Sequence, residues 1–397
     1  MTESLRVYRF DAPDEVSAAR WDAAAGPGLY LSHRWLSSMH DRRSARRAAY
    51  LLVERAGRPV SVAVLLRAER PGFVLQEPVG LLFDAELRDA DRAELSGEQD
   101  GRLSALLDQL RPELAGCYPV AVCVAPVGLT AGTAGVSDPE LAGALVAAAD
   151  EVAEQWQVRS RAMLYVEGSG PLDGALAAAG YRPATVGARA VLPVRWPDLA
   201  GYLASFPSLK RKVLRKELAA YDGCGVRTEV VPGDQLEPLL GQLAALGAKV
   251  QDKYGNGYDE AASRDTLEFL LARCPDLTAA VLARSDTDIL AFHLFYRYGD
   301  GLYSAITGQD HSELARRSFA HFRVLYYEPV RIAAAEGRQL VDYGMGPRLD
   351  QLARGGTARP LTCWFRFEAL PAQPVAELLD LVSGAQRARL ARLPGQT

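Results

Sequence analysis

Between Ile289 and Gly346 the order of segments narrows the choice of fold more than any other feature of this chain. Two apolar, aromatic-rich runs come first, Ile289-Leu290-Ala291-Phe292-His293-Leu294-Phe295-Tyr296 and Leu302-Tyr303-Ser304-Ala305-Ile306-Thr307. Gly299-Asp300-Gly301 between them is turn chemistry, so the pair predicts a β-hairpin. The polar break Gly308-Gln309-Asp310-His311-Ser312 leads into a run that predicts helix from near Glu313 to Gly337. A third strand, Gln339-Leu340-Val341-Asp342-Tyr343, closes on Gly344-Met345-Gly346. Hairpin, helix, strand and glycine turn in that order call for an α/β domain built on a mixed sheet.

At 397 residues the chain exceeds one ordinary core and fits two domains. Hydrophobic residues make up 49% and charged residues 24%, the balance of a globular protein. A net charge of −4 argues against a surface given over wholly to nucleic acid, although basic residues cluster locally. The segment Met1-Thr2-Glu3-Ser4-Leu5-Arg6 lacks a basic-then-apolar signal pattern, and no apolar run reaches the ~18 residues that a membrane span needs. The five cysteines are scattered, with no Cys-x-x-Cys pair, which argues against zinc and for a reducing, cytoplasmic setting.

The first half alternates strands and helices. Ala49–Val53 and Val60–Leu66 flank the turn Gly57-Arg58-Pro59, and Val120–Val124, Met163–Val166 and Ala188–Val194 are further strand candidates. Helices are expected over Gly101–Leu110 and from Ser137-Asp138-Pro139-Glu140 to about Trp156, the latter opened by proline and acids. A boundary is expected between Trp196-Pro197 and Pro207, after which the same order repeats without sequence identity. The expected domains are 1–200 and 201–370, with a helical tail over 371–397.

Three segments resemble tandem-GNAT acyltransferases of the Fem and BioF2-like groups, in which the order from Ile289 to Gly346 forms the central half of a GNAT domain. Tyr30-Leu31-Ser32-His33-Arg34-Trp35-Leu36 resembles their Ser-x-x-Trp-Leu opening segment. Lys210-Arg211-Lys212-Val213-Leu214-Arg215-Lys216-Glu217, followed by Cys224-Gly225-Val226, resembles their basic helix and the strand after it. Asp342-Tyr343-Gly344-Met345-Gly346 and Gln351-Leu352-Ala353-Arg354-Gly355 resemble the closing motif. The resemblance implies two side-by-side GNAT-like domains and amide formation from an activated donor, either acyl-CoA or aminoacyl-tRNA. One departure matters. Acyl-CoA enzymes of this fold carry Gln/Arg-x-x-Gly-x-Gly/Ala to line backbone N–H groups along the pyrophosphate, and no such spacing occurs from Gly308 to Ser318.

Several residues carry candidate chemistry, each with a plainer alternative. Lys210, Arg211 and Arg215 belong to a run of five cations in seven positions, suited to phosphates or simply to a solvated helix face, with Val213 and Leu214 expected to turn inward. Arg316, Arg317 and Ser318, near the start of the long helix, would replace the missing pyrophosphate loop. Asp342 at a strand end would take the proton of an attacking amine, or else satisfy loop amides. Alternation sends Tyr343 to the opposite face, and Tyr303 is a candidate acid for the leaving group or a packing residue. Trp35, Lys253, Tyr254 and His293 are candidate substrate contacts, although His293, alone in an apolar strand, is better suited to a satisfied core position. With no metal spacing and no Gly-x-Ser-x-Gly, direct attack of a small-molecule amine on the donor carbonyl is the expected reaction. The missing loop and the basic helix together favour aminoacyl-tRNA over acyl-CoA as co-substrate; a non-catalytic double GNAT that binds a ligand is the alternative of another class.

Overall fold

The computed structural model describes residues 4–40, 47–72, 74–83, 92–252 and 259–394. By its internal contacts the chain divides into two units, Met1–Arg189 together with Ala358–Thr397, and Ala190–Thr357. The tail from 371 therefore groups with the first unit.

The first unit holds strands β1 (Leu5–Phe10), β2 (Ala48–Arg55), β3 (Arg58–Ala68), β4 (Val120–Cys123), β5 (Thr133–Ala134) and β6 (Ser160–Glu167). β1–β2, β2–β3 and β3–β4 pair antiparallel, and β4–β6 pair parallel. The crossover that a parallel pair requires is the helix α1, as we number it here (Pro139–Gln155). Its start follows the sequence closely. Asp138 accepts the Leu141 N–H at 3.0 Å, a proline opens the first turn, and Leu141, Leu145, Val146, Ala149 and Val152 form one buried stripe. That stripe packs on Leu51, Val53, Leu65 and Met163 of the sheet. β7 (Arg182–Pro193) then carries the chain out of this unit.

The second unit opens with two helices, α2 (Leu199–Ala204) and the basic α3 (Ser208–Asp222). β8 (Arg227–Pro232) follows, then α4 (Leu240–Asp252), α5 (Glu260–Arg273) and β9 (Thr278–Arg284). The expected hairpin is β10 (Ile289–Tyr298) and β11 (Gly301–Gln309), and the strand after the helical region is β12 (Leu340–Met345). β8–β9, β9–β10 and β10–β11 pair antiparallel, and β11–β12 pair parallel. The two units thus repeat one pattern, three antiparallel pairings and then a parallel one across a helix. β13 (Thr357–Phe367) was not anticipated from the sequence; it returns to the first unit and pairs antiparallel with β6.

The helical region between β11 and β12 is not one helix. α6 (Glu313–Arg317) ends where Phe319 takes a left-handed φ of 55°, unusual for a bulky residue. One turn, Ala320–Phe322, leads into a π-wound stretch, Arg323–Tyr327, and then α7 (Glu328–Ala335). Pro329 has no N–H for the Leu325 carbonyl four residues back, which accounts for the widening there.

On one face of this sheet α4 and α5 bury Leu243, Leu246 and Leu267 against Phe292 and Leu294. Helix and strand meet at two glycines. A Cβ on Gly308 would lie 2.8 Å from the Gly247 nitrogen, inside van der Waals contact with backbone. Gly308→Ala is therefore expected to destabilise the protein by about 1–3 kcal/mol, as overpacking does. Urea unfolding should show a lowered midpoint with an unchanged slope.

Candidate active site

β11 and β12 pair through three residues only, Gly301 with Leu340, Leu302 with Val341 and Tyr303 with Asp342. Beyond that point β11 continues to Gln309 and β12 to Met345 without joining each other. A bulge helps to turn β11 aside, since Leu294 faces Ile306 while Phe295 faces Ser304, leaving Ala305 extra. Two parallel strands that part leave backbone N–H and C=O groups of their facing edges outside that ladder, and such groups need partners. Substrate atoms placed there meet a row of peptide dipoles.

Asp342 and Tyr303 sit side by side at the point of parting, both nearly buried. The Asp342 carboxylate accepts the Gly344 N–H at 2.8 Å, and Gly344 holds a left-handed φ of 80°. Tyr343 lies on the other face, edge-on to Tyr326 at 5.6 Å between ring centres, as alternation requires. Burial pushes its phenol well above the ordinary tyrosine range, and its hydroxyl has no hydrogen-bond partner among the described residues.

A cleft of about 460 Å³ opens past the end of β11. His311, Arg316, Phe319, Phe322, Arg348 and Asp350 are among its walls. The left-handed backbone at Phe319 sets its ring against Phe322, 5.9 Å away and nearly parallel. Behind Phe322 stands Arg354, its guanidinium 3.8 Å from the ring centre. Arg354 is buried and donates to Glu217 at 2.7 Å and to the Asp350 carbonyl at 3.0 Å. Tyr327 donates to the same Glu217 carboxylate, and Tyr202 donates to the Arg354 carbonyl at 2.7 Å. Tyr326 donates to Asp350 at 2.5 Å and receives Arg348 at 3.3 Å. This network fixes the aromatic wall from behind. Glu217 and Arg354 were not singled out by sequence reasoning, because nothing local marks a pair 137 residues apart.

The residues expected from sequence fall into groups. Arg316 lines the cleft, though from the last turn of a short helix instead of the first turn of a long one, because the chain breaks at Phe319. Arg317 points into solvent and pairs with Glu313 at 3.4 Å. Ser318 is buried and its hydroxyl donates to the Leu314 carbonyl at 2.7 Å, a helix-end contact. Lys210 turns toward the Glu217–Arg354 pair; burial lowers its pKa, and the charge of Arg354 lowers it further. Arg211 contacts the Ala204 carbonyl and Arg215 is exposed. Leu214 is buried as expected, but Val213 faces solvent.

Trp35 is a core residue of the first unit, fully buried, with its indole N–H on the Pro126 carbonyl at 2.9 Å. Lys253 and Tyr254 lie outside the described residues. His293 is a core residue too. Its Nδ1–H donates to the Val324 carbonyl at 3.3 Å, which makes Nε2 the acceptor for the Ser304 hydroxyl at 2.9 Å. Burial, partly opposed by the Val324 contact, brings its pKa down from 6.5 to about 3.

The sequence matches the model of the FemAB-like family, described as peptidoglycan biosynthesis/recognition, over residues 112–383. The chain belongs to the FemAB-like family. No curated protein matches it in sequence. Among solved structures it is similar to FemX, with a TM-score of 0.59 and 11% identity over 94% of this chain and 99% of that one. A tandem GNAT protein from the clavulanic acid biosynthesis pathway, solved without AcCoA, gives 0.49 and 14% over 93% and 100%. The FemAB-like chain therefore shares the FemX fold, a mixed α/β architecture.

The buried His293 also gives a pH signature. Between about pH 3 and 6.5 the unfolded chain binds a proton there that the native state does not. Stability should therefore rise with pH across that window and level off above it. His293→Gln, which keeps a donor and an acceptor, is expected to remove about 2–3 kcal/mol of the stability difference between pH 4.5 and 7.5. Denaturant titrations at pH 4.5 and 7.5 on both proteins would measure it.

Proposed function

We propose that this FemAB-like protein is an N-acyltransferase that forms an amide between an activated acyl donor and an amine, with aminoacyl-tRNA as the donor. The observation that carries this reading is the parting of β11 and β12 after three paired residues, with a cationic, aromatic cleft beyond it. An acyl carbonyl inserted between the strands would place its oxygen against backbone N–H groups, which stabilise the negative charge that develops during attack. The amine attacks, the tetrahedral intermediate collapses, and the ribose hydroxyl leaves. Asp342 takes the proton of the ammonium, directly or through one water, and Tyr303 beside it supplies one to the leaving oxygen. Arg316 and Arg348 meet donor phosphate, and the rings of Phe319 and Phe322 offer a face for the terminal base.

The start of the helix after β11 favours tRNA over CoA. In place of free amides, Asp310 and Ser312 fill that position. Asp310 accepts Lys249 at 2.7 Å and the Ser312 N–H at 3.2 Å, contacts that bring its carboxyl down to about 2. A pyrophosphate there would meet a permanent carboxylate. The family description makes the amino group of a cell-wall peptide the first acceptor to try.

The test is transfer from charged tRNA and, separately, from acyl-CoA to peptide amines, with the amide identified by mass. Transfer from acyl-CoA alone overturns the donor assignment; transfer from neither overturns the enzyme. Two variants separate the roles. Arg316→Ala should weaken donor binding about tenfold with the fold intact. Asp342→Asn should lower kcat by ~10²-fold with donor binding little changed. A lowered melting temperature with a near-normal kcat would instead make Asp342 a structural ligand of Gly344.

A further inference from the structure

The solvent face of α3 is left over once the site is assigned. The helix turns Leu214, Glu217 and Tyr221 inward, with Lys210 alongside. Leu209, Lys212, Val213, Arg215 and Lys216 are exposed to water, and Arg211 is half-buried. Leu209 is 78% exposed, the most exposed large apolar side chain among the described residues, and Val213 is 47% exposed. Four positions apart, they form a single ridge. Lys212 and Lys216 border the ridge on the outer face, with Arg211 and Arg215 further round the helix. Lys212, Arg215 and Lys216 make no ion pair with any described acid.

Neither plain reading of a basic helix explains this face. A solvated face has no use for aliphatic side chains at its most exposed positions. A nucleic-acid backbone offers phosphates to the cations but nothing to Leu209 and Val213. Aliphatic side chains interleaved with lysine and arginine fit the boundary between headgroups and acyl chains of an anionic bilayer. There the cations meet lipid phosphates while the aliphatic groups leave water.

We propose that α3 docks this protein on an anionic lipid bilayer, with Leu209 and Val213 entering the headgroup boundary and Arg211, Lys212, Arg215 and Lys216 lying along the phosphates. The contact is peripheral, and no helix among the described residues is long and apolar enough to cross a membrane. It does not depend on the identity of the acyl donor.

The test is co-sedimentation of the full chain with vesicles of phosphatidylcholine alone and of phosphatidylcholine with about one-third phosphatidylglycerol. Binding to the mixed vesicles only, weakening as salt is raised, is expected. Leu209→Ser with Val213→Ser should weaken it roughly tenfold or more at unchanged charge, since each buried methylene contributes to insertion. Lys212→Glu with Lys216→Glu should abolish it. Circular dichroism of the variants confirms that the fold is kept, as expected at exposed positions. The proposal is overturned if neither vesicle binds the wild type. It is also overturned if the aliphatic variant binds as well as wild type. Loss of tRNA binding in the charge variant, with no vesicle binding by the wild type, would assign the face to nucleic acid.

Discussion

The second unit is organised around two parallel strands that begin as neighbours and then separate. Pairing from Gly301 to Tyr303 ties β11 to β12 firmly enough to fix which residues stand at the fork. Asp342 and Tyr303 are brought together there by register, although they are distant in sequence. Had the ladder continued, the facing edges would have satisfied each other. The extra residue at Ala305 and the left-handed glycines at 344 and 346 bend the two strands away from such closure.

Opening a sheet has to be offset by rigidity elsewhere, and here it comes from buried polar contacts behind the cleft. Arg354 inserts between Phe322 and Glu217, and its carbonyl receives Tyr202. Removing one partner from such a buried pair leaves an uncompensated charge, which costs far more than the intact pair contributes. The pair therefore acts as a constraint on geometry more than as a source of stability. It joins α3 to the aromatic wall and so holds Phe322, and with it Phe319, in place. The strained backbone at Phe319 persists because packing on both sides determines it.

The family assignment sets the fold, and the site then depends on features particular to this chain. A carboxylate and a serine side chain occupy the start of the helix after β11. Cations of the cleft lie on either side of the helical break, Arg316 before it and Arg348 well after it. The same element order occurs in the first unit, where Asp138 caps the corresponding helix and Arg55 binds that carboxylate at 2.8 Å. Both helix starts are thus satisfied from within the protein.

Periodicity and turn chemistry alone determined the hairpin Ile289–Tyr298 and Gly301–Gln309, the helix beginning at Pro139, and the repeated order of the two halves. These are local properties: alternation, a Gly-Asp-Gly turn, an aspartate followed by proline. The unbroken helix over 313–337 was misread because helix periodicity survives a single left-handed residue and a widened turn. β13 was missed because its pairing partner, β6, is about two hundred residues away in the chain. Trp35 was a candidate substrate contact in sequence and His293 a candidate better suited to the core, and a residue type carries no record of its burial. Only tertiary packing decided that both are core, that Asp342 meets Tyr303, and that Arg354 meets Glu217. Side-chain chemistry is written residue by residue, but the company each residue keeps is set by contacts between distant segments.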